Sequence, residues 1–172
     1  MMKKNNNNLK KLIVLAAATI VVVTVAFNMK DWLGKTGNSK NEKSSGISVV
    51  KDDDIVIPLK DVTETALFYP ANINGTDLEV IAVKASDGTV RTAFNTCQVC
   101  FSSGKGYYEQ EGDKLVCQNC GNRFGMDEVE VARGGCNPVP ITSEYKKIDE
   151  ETITVSKDYL EQATAIFQNW NK

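Results

Sequence analysis

Five cysteines are the residues of this sequence whose type and spacing could do chemistry, and all of them lie in one 40-residue stretch. Cys97 and Cys100 form one C-x2-C pair, and after sixteen intervening residues Cys117 and Cys120 form a second. A C-x2-C turn points both of its sulfurs the same way, so two such turns on neighbouring loops can close a tetrahedral S4 cage. The spacing therefore predicts these four cysteines as metal ligands. Cys136, which follows after fifteen further residues, is an additional candidate.

The residues leave the kind of metal centre open, because an S4 cage suits zinc, a single iron ion or an iron–sulfur cluster. Two structural disulfides with a leftover thiol are an alternative without a metal, but the odd cysteine count and the C-x2-C form fit it poorly. Catalytic dithiol exchange is a further alternative. Neither pair, however, is followed by a proline-rich active-site turn or a helix N-terminus that would lower a thiol pKa. A zinc ion that only folds the domain stays a serious alternative.

Cys136 leaves several roles open. As an exchangeable fifth thiol it could admit an incoming metal, as a neighbour of the ligands its S–H could tune a reduction potential, and as a plain buried cysteine it would do neither. The Gly134-Gly135 lead and the Pro138 exit make a stiff turn that allows close backbone approach. We expect this loop to cover the cage, with Cys136 near the four ligands but not among them. The N–H groups of the loop glycines, including Gly121, are expected to offset the surplus thiolate charge.

The overall composition narrows the possible chemistry. The chain has 172 residues and contains no histidine. The lack of imidazole excludes Ser-His-Asp triads, Cys-His pairs and His-ligated zinc or copper. Apart from four lysines before residue 12, the chain carries 16 basic and 22 acidic residues. A domain with this acidic balance is a poor candidate for binding nucleic acid.

The N-terminal part of the chain has the pattern of a membrane anchor. Residues 12–27 are sixteen uncharged, almost wholly apolar residues, and the lysine-rich residues 1–11 precede them. This pattern predicts a single-pass helix in the cell membrane with a cytoplasmic N-terminus, and a cleaved signal peptide is the alternative. The chain then divides into a cytoplasmic stub and anchor (1–33), a Gly-, Ser- and Asn-rich linker (34–46) and an extracytoplasmic cysteine-rich domain (47–172).

Two predicted β-hairpins position the cysteine pairs. Residues 77–85 and 89–95 flank a Ser-Asp-Gly turn, which predicts a hairpin that runs directly into the first C-x2-C pair. Residues 107–117 predict a second hairpin around a Gly-Asp turn, and it ends at the second pair. Each pair is thus expected on a loop at the end of a hairpin, where a β-scaffold can hold a metal rigidly.

The other segments predict short strands and one helix. Five further strands are expected, at residues 47–50, 55–57, 63–69, 124–131 and 152–155. Residues 156–170 predict a helix that begins at the N-cap Ser156. Four side chains at helical spacing are expected to pack on the sheet, namely Tyr159, Ala163, Ile166 and Trp170. The expected soluble part is therefore mainly β, and α+β overall.

The cysteine-rich stretch resembles the FtrD-like membrane iron–sulfur domain family of bacteria, which is linked to iron uptake. The shared markers are the two C-x2-C pairs, the Lys-Leu-Val-Cys lead-in at residues 114–117 and Gly-Gly-Cys-Asn-Pro-x-Pro-Ile at residues 134–141. The resemblance covers residues 50–142. It implies a bound iron–sulfur cluster or another metal centre.

A more distant resemblance is to the architecture of Rieske domains, in which two hairpins end in metal loops and a Gly-Pro loop covers the cluster. Cys97 and Cys117 stand where the two Rieske cysteines would be, and Cys100 and Cys120 stand near the two histidines. The resemblance implies a Rieske-like antiparallel β-domain. Because both histidines are replaced by cysteine, an all-thiolate cluster would have a lower potential, nearer about −400 mV.

These observations lead to one expected function and one alternative. The protein is expected to be a membrane-anchored, extracytoplasmic iron–sulfur or iron protein that acts in electron transfer or metal handling for iron uptake, rather than a catalyst. Its expected partners are the membrane, through the N-terminal helix, and a membrane transporter or redox partner. The alternative is an interaction module with a structural zinc that serves an adjacent membrane transporter.

Overall fold

The computed structural model describes residues 46–171. The predicted membrane helix at residues 12–27, the stub before it and residues 34–45 of the predicted linker lie outside the described residues. Within the described part of the chain, no helix is both long and apolar enough to cross a membrane.

Between residues 46 and 171 the backbone forms eleven β-strands, a single α-helix and several 3-10 turns. In chain order the strands are β1 (Val50–Lys51), β2 (Ile55–Pro58), β3 (Leu67–Ile73), β4 (Thr76–Lys84), β5 (Val90–Cys97), β6 (Tyr108–Glu111), β7 (Lys114–Cys117), β8 (Arg123–Gly125), β9 (Pro138–Pro140), β10 (Lys147–Ile148) and β11 (Thr152–Val155). The helix α1 (Lys157–Ala163) follows β11. The described domain is therefore mainly β, as the sequence predicts.

The strands form three sheets. The largest has five strands in the order β1-β3-β4-β5-β9, and the two smaller sheets have the orders β10-β11-β2 and β6-β7-β8. Neighbouring strands are antiparallel except for β1 and β3, which pair in parallel over two residues. A long connection that contains β2 joins β1 to β3, and such a connection permits parallel pairing where a tight turn would not. The antiparallel prediction is confirmed with this exception, and the Rieske-like arrangement stays a prediction.

Strand β4 shows that the large sheet is covered on both faces. Leu78, Val80 and Ala82 pack in one apolar cluster with side chains of β2, β11 and α1, as their alternation predicts. Ile81 and Val83 point the other way and pack in a second cluster with side chains of β6, β7 and β8. Because both faces are apolar, the small β6-β7-β8 sheet is held against the large one. This contact fixes the two cysteine-bearing hairpins relative to each other.

Both predicted hairpins are present, and both end at a cysteine pair. β4 pairs with β5, and β5 ends at Cys97. β6 pairs with β7 with Tyr108 opposite Cys117, so the second C-x2-C pair begins where β7 ends. Where β5 pairs with β9, the register shifts between Phe94 and Cys97. This irregularity ends the regular ladder at the first cysteine.

Three strand predictions need correction. The strand predicted at residues 47–50 lies later and is shorter, since β1 comprises Val50 and Lys51. The strand predicted at residues 63–69 lies later, because β3 continues through Pro70 to Ile73. The strand predicted at residues 124–131 is present only at its start, because β8 ends at Gly125 and a 3-10 turn follows. The reason is local, since the carboxylate of Glu128 accepts the N–H of Gly125 at 2.7 Å and folds the chain back.

The predicted helix is confirmed at its start and shorter at its end. The Ser156 hydroxyl accepts the N–H of Tyr159 at 3.4 Å, so Ser156 is the N-cap. After α1 the chain continues as a 3-10 turn over Thr164–Phe167. All four predicted contact residues, Tyr159, Ala163, Ile166 and Trp170, pack in the first apolar cluster. Leu160 and Phe167 are more deeply buried than the predicted stripe, at 0% and 2% exposure.

A buried polar network holds the segment before Cys136 against β5. Lys146 Nζ lies 2.6 Å from Glu130 Oε2 and 2.9 Å from Thr92 Oγ1, and the Lys146 side chain is 1% exposed. Glu130 Oε2 also accepts the N–H of Thr92 at 2.9 Å, and the Thr92 hydroxyl donates to the carbonyl of Ile141 at 3.0 Å. Because each charged group has a partner, their burial is tolerated.

Replacing Lys146 by methionine is expected to lower the free energy of unfolding by about 2–4 kcal/mol, because Glu130 would stay partly buried without its cation. Chemical denaturation of the full-length protein, followed by tryptophan fluorescence, measures this change. Lys147→Met is the matched control, since Lys147 is the next residue and is exposed; it should change the free energy by less than about 0.5 kcal/mol. Equal effects of the two substitutions would contradict a stabilising role for the network.

Candidate metal centre

Three loops bring the cysteines together at one end of the sheets. Loop 1 (residues 97–106) leaves β5, loop 2 (residues 117–123) joins β7 to β8, and loop 3 (residues 131–137) leads into β9. Loops 1 and 2 each contain one C-x2-C pair, and loop 3 contains Cys136. The predicted site residues thus converge although three separate parts of the chain supply them.

The five sulfurs form two overlapping groups of three. The Sγ atoms of Cys97, Cys100 and Cys117 lie within 4.8 Å of one another, and so do those of Cys100, Cys120 and Cys136. Cys136 Sγ is 3.7 Å from Cys100 Sγ and 3.4 Å from Cys120 Sγ. Sulfurs on one tetrahedral metal with bonds of about 2.3 Å stand about 3.8 Å apart. The donor atoms and their spacing therefore fit a thiolate-held metal ion or cluster.

The two groups differ in their exposure to solvent. Cys97 and Cys117 are 0% and 1% exposed, whereas Cys120 is exposed and Cys100 and Cys136 are partly exposed. We name Cys97, Cys100 and Cys117 the inner group, and Cys100, Cys120 and Cys136 the outer group. Cys100 belongs to both. The sequence predicted Cys136 to lie near the cage and outside the ligand set, yet its sulfur has the spacing of a ligand.

Backbone N–H groups point at the sulfurs within each C-x2-C turn. The N–H of Cys100 donates to Cys97 Sγ at 3.3 Å, and the N–H of Cys120 donates to Cys117 Sγ. These donors come from the turns themselves. The glycine expected as a donor in loop 2 bonds elsewhere, since the N–H of Gly121 donates to the carbonyl of Cys117 at 2.8 Å. The turns alone therefore offset part of the thiolate charge.

Hydrogen bonds and burial lower the pKa values of some of these thiols and raise those of others. Burial opposes ionisation of Cys97, but the N–H groups of its own turn outweigh burial and lower its pKa. The N–H of Asn122, followed by the S–H of Cys136, lowers the pKa of Cys120. Burial raises the pKa of Cys117 to about 12, and the hydrogen bond that Cys136 shares with Cys120 raises the pKa of Cys136. Metal binding must displace the more tightly held protons, so it should tighten as pH rises.

Gln98 joins loop 1 to loop 3. Its N–H donates to the carbonyl of Asn137 at 3.0 Å, and its side-chain oxygen accepts the N–H of Gly134 at 3.1 Å. Asn137 Nδ2 in turn donates to the carbonyl of Gly134. Loop 3 is therefore fixed over the first C-x2-C pair by polar contacts that do not involve sulfur.

Tyr108, which the sequence pattern does not mark as a functional residue, lies beneath the five thiols. The side chain is 1% exposed, its hydroxyl donates to the carbonyl of Cys136 at 2.8 Å, and it also contacts the Cys97 thiol. Burial, followed by this thiol, raises the pKa of Tyr108. Asn122 Nδ2 donates to the same Cys136 carbonyl at 3.0 Å. The register of the second hairpin was the available signal, since it places Tyr108 opposite Cys117.

The C-terminal segment supports this arrangement through Asn95. Trp170 Nε1 donates to the carbonyl of Asn95 at 2.7 Å. The Asn95 side chain accepts the N–H of Tyr108 at 2.7 Å and donates to the carbonyl of Tyr108 at 3.2 Å. Asn95 thus mimics a strand partner for β6 and holds Tyr108 in place.

Replacing Tyr108 by phenylalanine is expected to leave the fold intact and to weaken metal binding by about 10–100-fold, because the hydroxyl contacts the thiol of the predicted ligand Cys97 without being a ligand itself. Competition with a chelator, on anaerobically purified full-length protein, measures the affinity. Tyr107→Phe is the matched control, since the Tyr107 ring packs on Trp170 with centroids 6.2 Å apart. Unchanged affinity in Tyr108→Phe would show that the hydroxyl does not position the site.

The three loops carry a different charge from the rest of the described chain. Residues 46–171 contain 11 basic and 20 acidic residues. The loops contain no acidic residue and three exposed cations, namely Lys105, Arg123 and Arg133. Glu111 on β6 pairs with Arg123 at 3.0 Å, so Lys105 and Arg133 contribute most of the positive charge. Val99 and Val131 in the same loops are 58% and 62% exposed. The face around the thiols is thus cationic and apolar on an otherwise acidic domain.

Five thiols held by three loops of a β-scaffold define a class of cysteine-rich domain that could bind a metal through sulfur. A family model described as "Membrane iron-sulfur containing protein FtrD-like" matches residues 59–167, well over half of the chain. The chain belongs to this family, as its motifs predict. Comparisons with curated proteins and with solved structures found no significant match.

Proposed function

We propose that this protein holds iron, as an iron–sulfur cluster or as an ion, and uses it in electron transfer or metal handling for iron uptake. The observation that carries the proposal is the convergence of five sulfurs in two overlapping groups. The family description, which names membrane iron–sulfur proteins, supports iron over other metals.

The exposure of the site favours a redox or metal-exchange centre over a purely structural zinc. Structural zinc sites are closed, with four ligands that shield the ion. Here Cys120 is exposed, Cys136 is partly exposed, and a fifth thiol is available. An open edge gives a redox partner or an incoming ion access to the centre, and a spare thiol would serve metal exchange.

Different residues of the chain would bind such a centre, shield it from water and offset its charge. When bound, an iron–sulfur cluster supplies one-electron chemistry. Cys97 and Cys117 would hold it from the buried side, where Tyr108 and the apolar side chains of β7 and β8 exclude water. The N–H groups of the turns and the exposed cations of the three loops would offset the negative charge of the thiolates.

We further propose that the domain lies outside the cell membrane, anchored by residues 12–27, and meets an acidic protein partner there. A redox partner or a membrane transporter would fill this role. The support is charge complementarity, because the thiol-bearing face is cationic on an acidic domain. Nucleic acid is not proposed as a partner, since the domain as a whole would repel it.

Anaerobic purification of the full-length protein tests the proposal. Mass spectrometry should find stoichiometric iron, and the absorption spectrum should show visible bands that bleach on reduction. Zinc alone in a colourless protein would overturn the iron assignment and support the structural-zinc alternative, because Zn²⁺ is d¹⁰ and has no redox chemistry.

A further inference from the structure

The outer group is the first set of thiols that an ion from solvent meets. Cys120 is exposed, and its sulfur lies 3.4 Å from Cys136 Sγ. The inner cysteines Cys97 and Cys117 are buried. An ion from solvent therefore meets the outer thiols before it meets the buried sulfurs of Cys97 and Cys117.

We infer that Cys100, Cys120 and Cys136 form an entry site that captures a soft or borderline divalent cation and passes it to the buried thiols. The inference rests on the proposed function and adds the route by which the centre is loaded. Cys100 lies in both groups, so the ion keeps this ligand while the others change. The final ligands are Cys97, Cys100, Cys117 and Cys120, so Cys120, which the structure groups with Cys100 and Cys136, moves toward the inner thiols and Cys136 is released.

The transfer is a ligand exchange without change of oxidation state. In the entry site a water molecule completes the coordination of the ion; the bonds from the metal to Cys136 and to this water break, and bonds to Cys97 and Cys117 form. The two inner thiols release their protons to solvent, and Cys136 takes one up. An ion held by the outer thiols is at a high effective concentration next to the inner thiols. The entry site therefore speeds loading without adding to the final affinity.

Cys136 is placed to bind the incoming ion first and then to release it. Its carbonyl is fixed by Tyr108 and Asn122, which holds the residue beside the outer thiols. Gly134 and Gly135 precede it at φ values of 79° and 73°, a conformation that glycine adopts readily. The backbone is thus anchored while the sulfur stays at the solvent edge.

Stopped-flow loading of the metal-free, reduced full-length protein with Co²⁺ tests the inference. Thiolate-to-cobalt charge-transfer absorption counts the bound sulfurs and gives the rate. Cys136→Ser is expected to load about tenfold more slowly than the natural protein, with the same final absorption and stoichiometry. Cys97→Ser, the contrasting variant, should keep the fast capture phase and end with weaker absorption. Cys136→Ala repeats the test without an oxygen ligand, and circular dichroism checks each fold.

Three other outcomes for the Cys136 variants would overturn the entry site. Loading of both Cys136 variants at the natural rate would overturn the entry site. A lower final absorption in Cys136→Ser would make Cys136 a permanent ligand, and unfolding of both variants would make its role structural; either result also overturns the inference. No cobalt uptake by the natural protein would instead count against the proposed metal-binding function.

Discussion

Replacing Cys100 by serine is expected to cause the largest loss of metal of any single substitution in the cluster. Cys100 is the residue that belongs to both thiol groups, so its loss removes a ligand from each. Structural zinc sites in small peptides bind with about 10–16 kcal/mol, and on that scale one ligand in four corresponds to roughly 3 kcal/mol, or about 100-fold in affinity. Elemental analysis of the purified variant should show metal well below stoichiometry, and the loops should become sensitive to protease.

The cysteine series provides the control for this result. Cys97→Ser, Cys117→Ser and Cys120→Ser should also lose most of their metal, whereas Cys136→Ser should retain it at equilibrium. Retention of stoichiometric metal in Cys100→Ser would contradict a shared ligand. Stoichiometric metal in two or more variants of the paired cysteines would contradict the four-thiolate site itself.

The sequence predicted the parts of the fold that depend on local patterns. Alternation and turn residues identified both hairpins, and the C-x2-C pairs mark the ends of β5 and β7. Ser156 identified the start of the helix because an N-cap needs only a local hydrogen bond. These features are decided by residues a few positions apart, so one sequence suffices to find them.

The features that the sequence did not reveal depend on long-range contacts. The segment around Glu130 alternates like a strand. The Glu128 carboxylate, however, accepts the N–H of Gly125, and Glu130 pairs with Lys146, so the segment forms turns instead. Tyr108 is one aromatic residue among many until the hairpin register places it under the sulfurs. The spacing of Cys136 from the pairs could not show that its sulfur reaches them, because the Gln98 contacts fix that loop.

Gly106→Ala is expected to disrupt the metal centre although residue 106 is not a ligand. The carbonyl of Gly106 accepts the N–H of Cys97 at 2.6 Å, which closes loop 1. A Cβ at this position would lie 2.5 Å from the carbonyl oxygen of Cys100 and 2.9 Å from the backbone nitrogen of Phe101. Both neighbours are backbone atoms that cannot rotate away, so the turn that carries Cys97 and Cys100 must shift. We expect about 1–3 kcal/mol less stability and at least about a tenfold loss of metal affinity.

Gly125→Ala is the matched control, because it makes the same substitution at a φ of −72°. There the new Cβ would lie 2.9 Å from Glu128 Oε2, the end of a side chain that can swing aside by giving up its hydrogen bond to the Gly125 N–H. Its metal affinity should therefore stay near that of the natural protein, even if the free energy of unfolding falls slightly. Chelator competition and thermal unfolding on the two variants make the comparison. Equal metal affinity in Gly106→Ala and Gly125→Ala would show that the close approach of residue 106 to the Cys100 backbone does not shape the site.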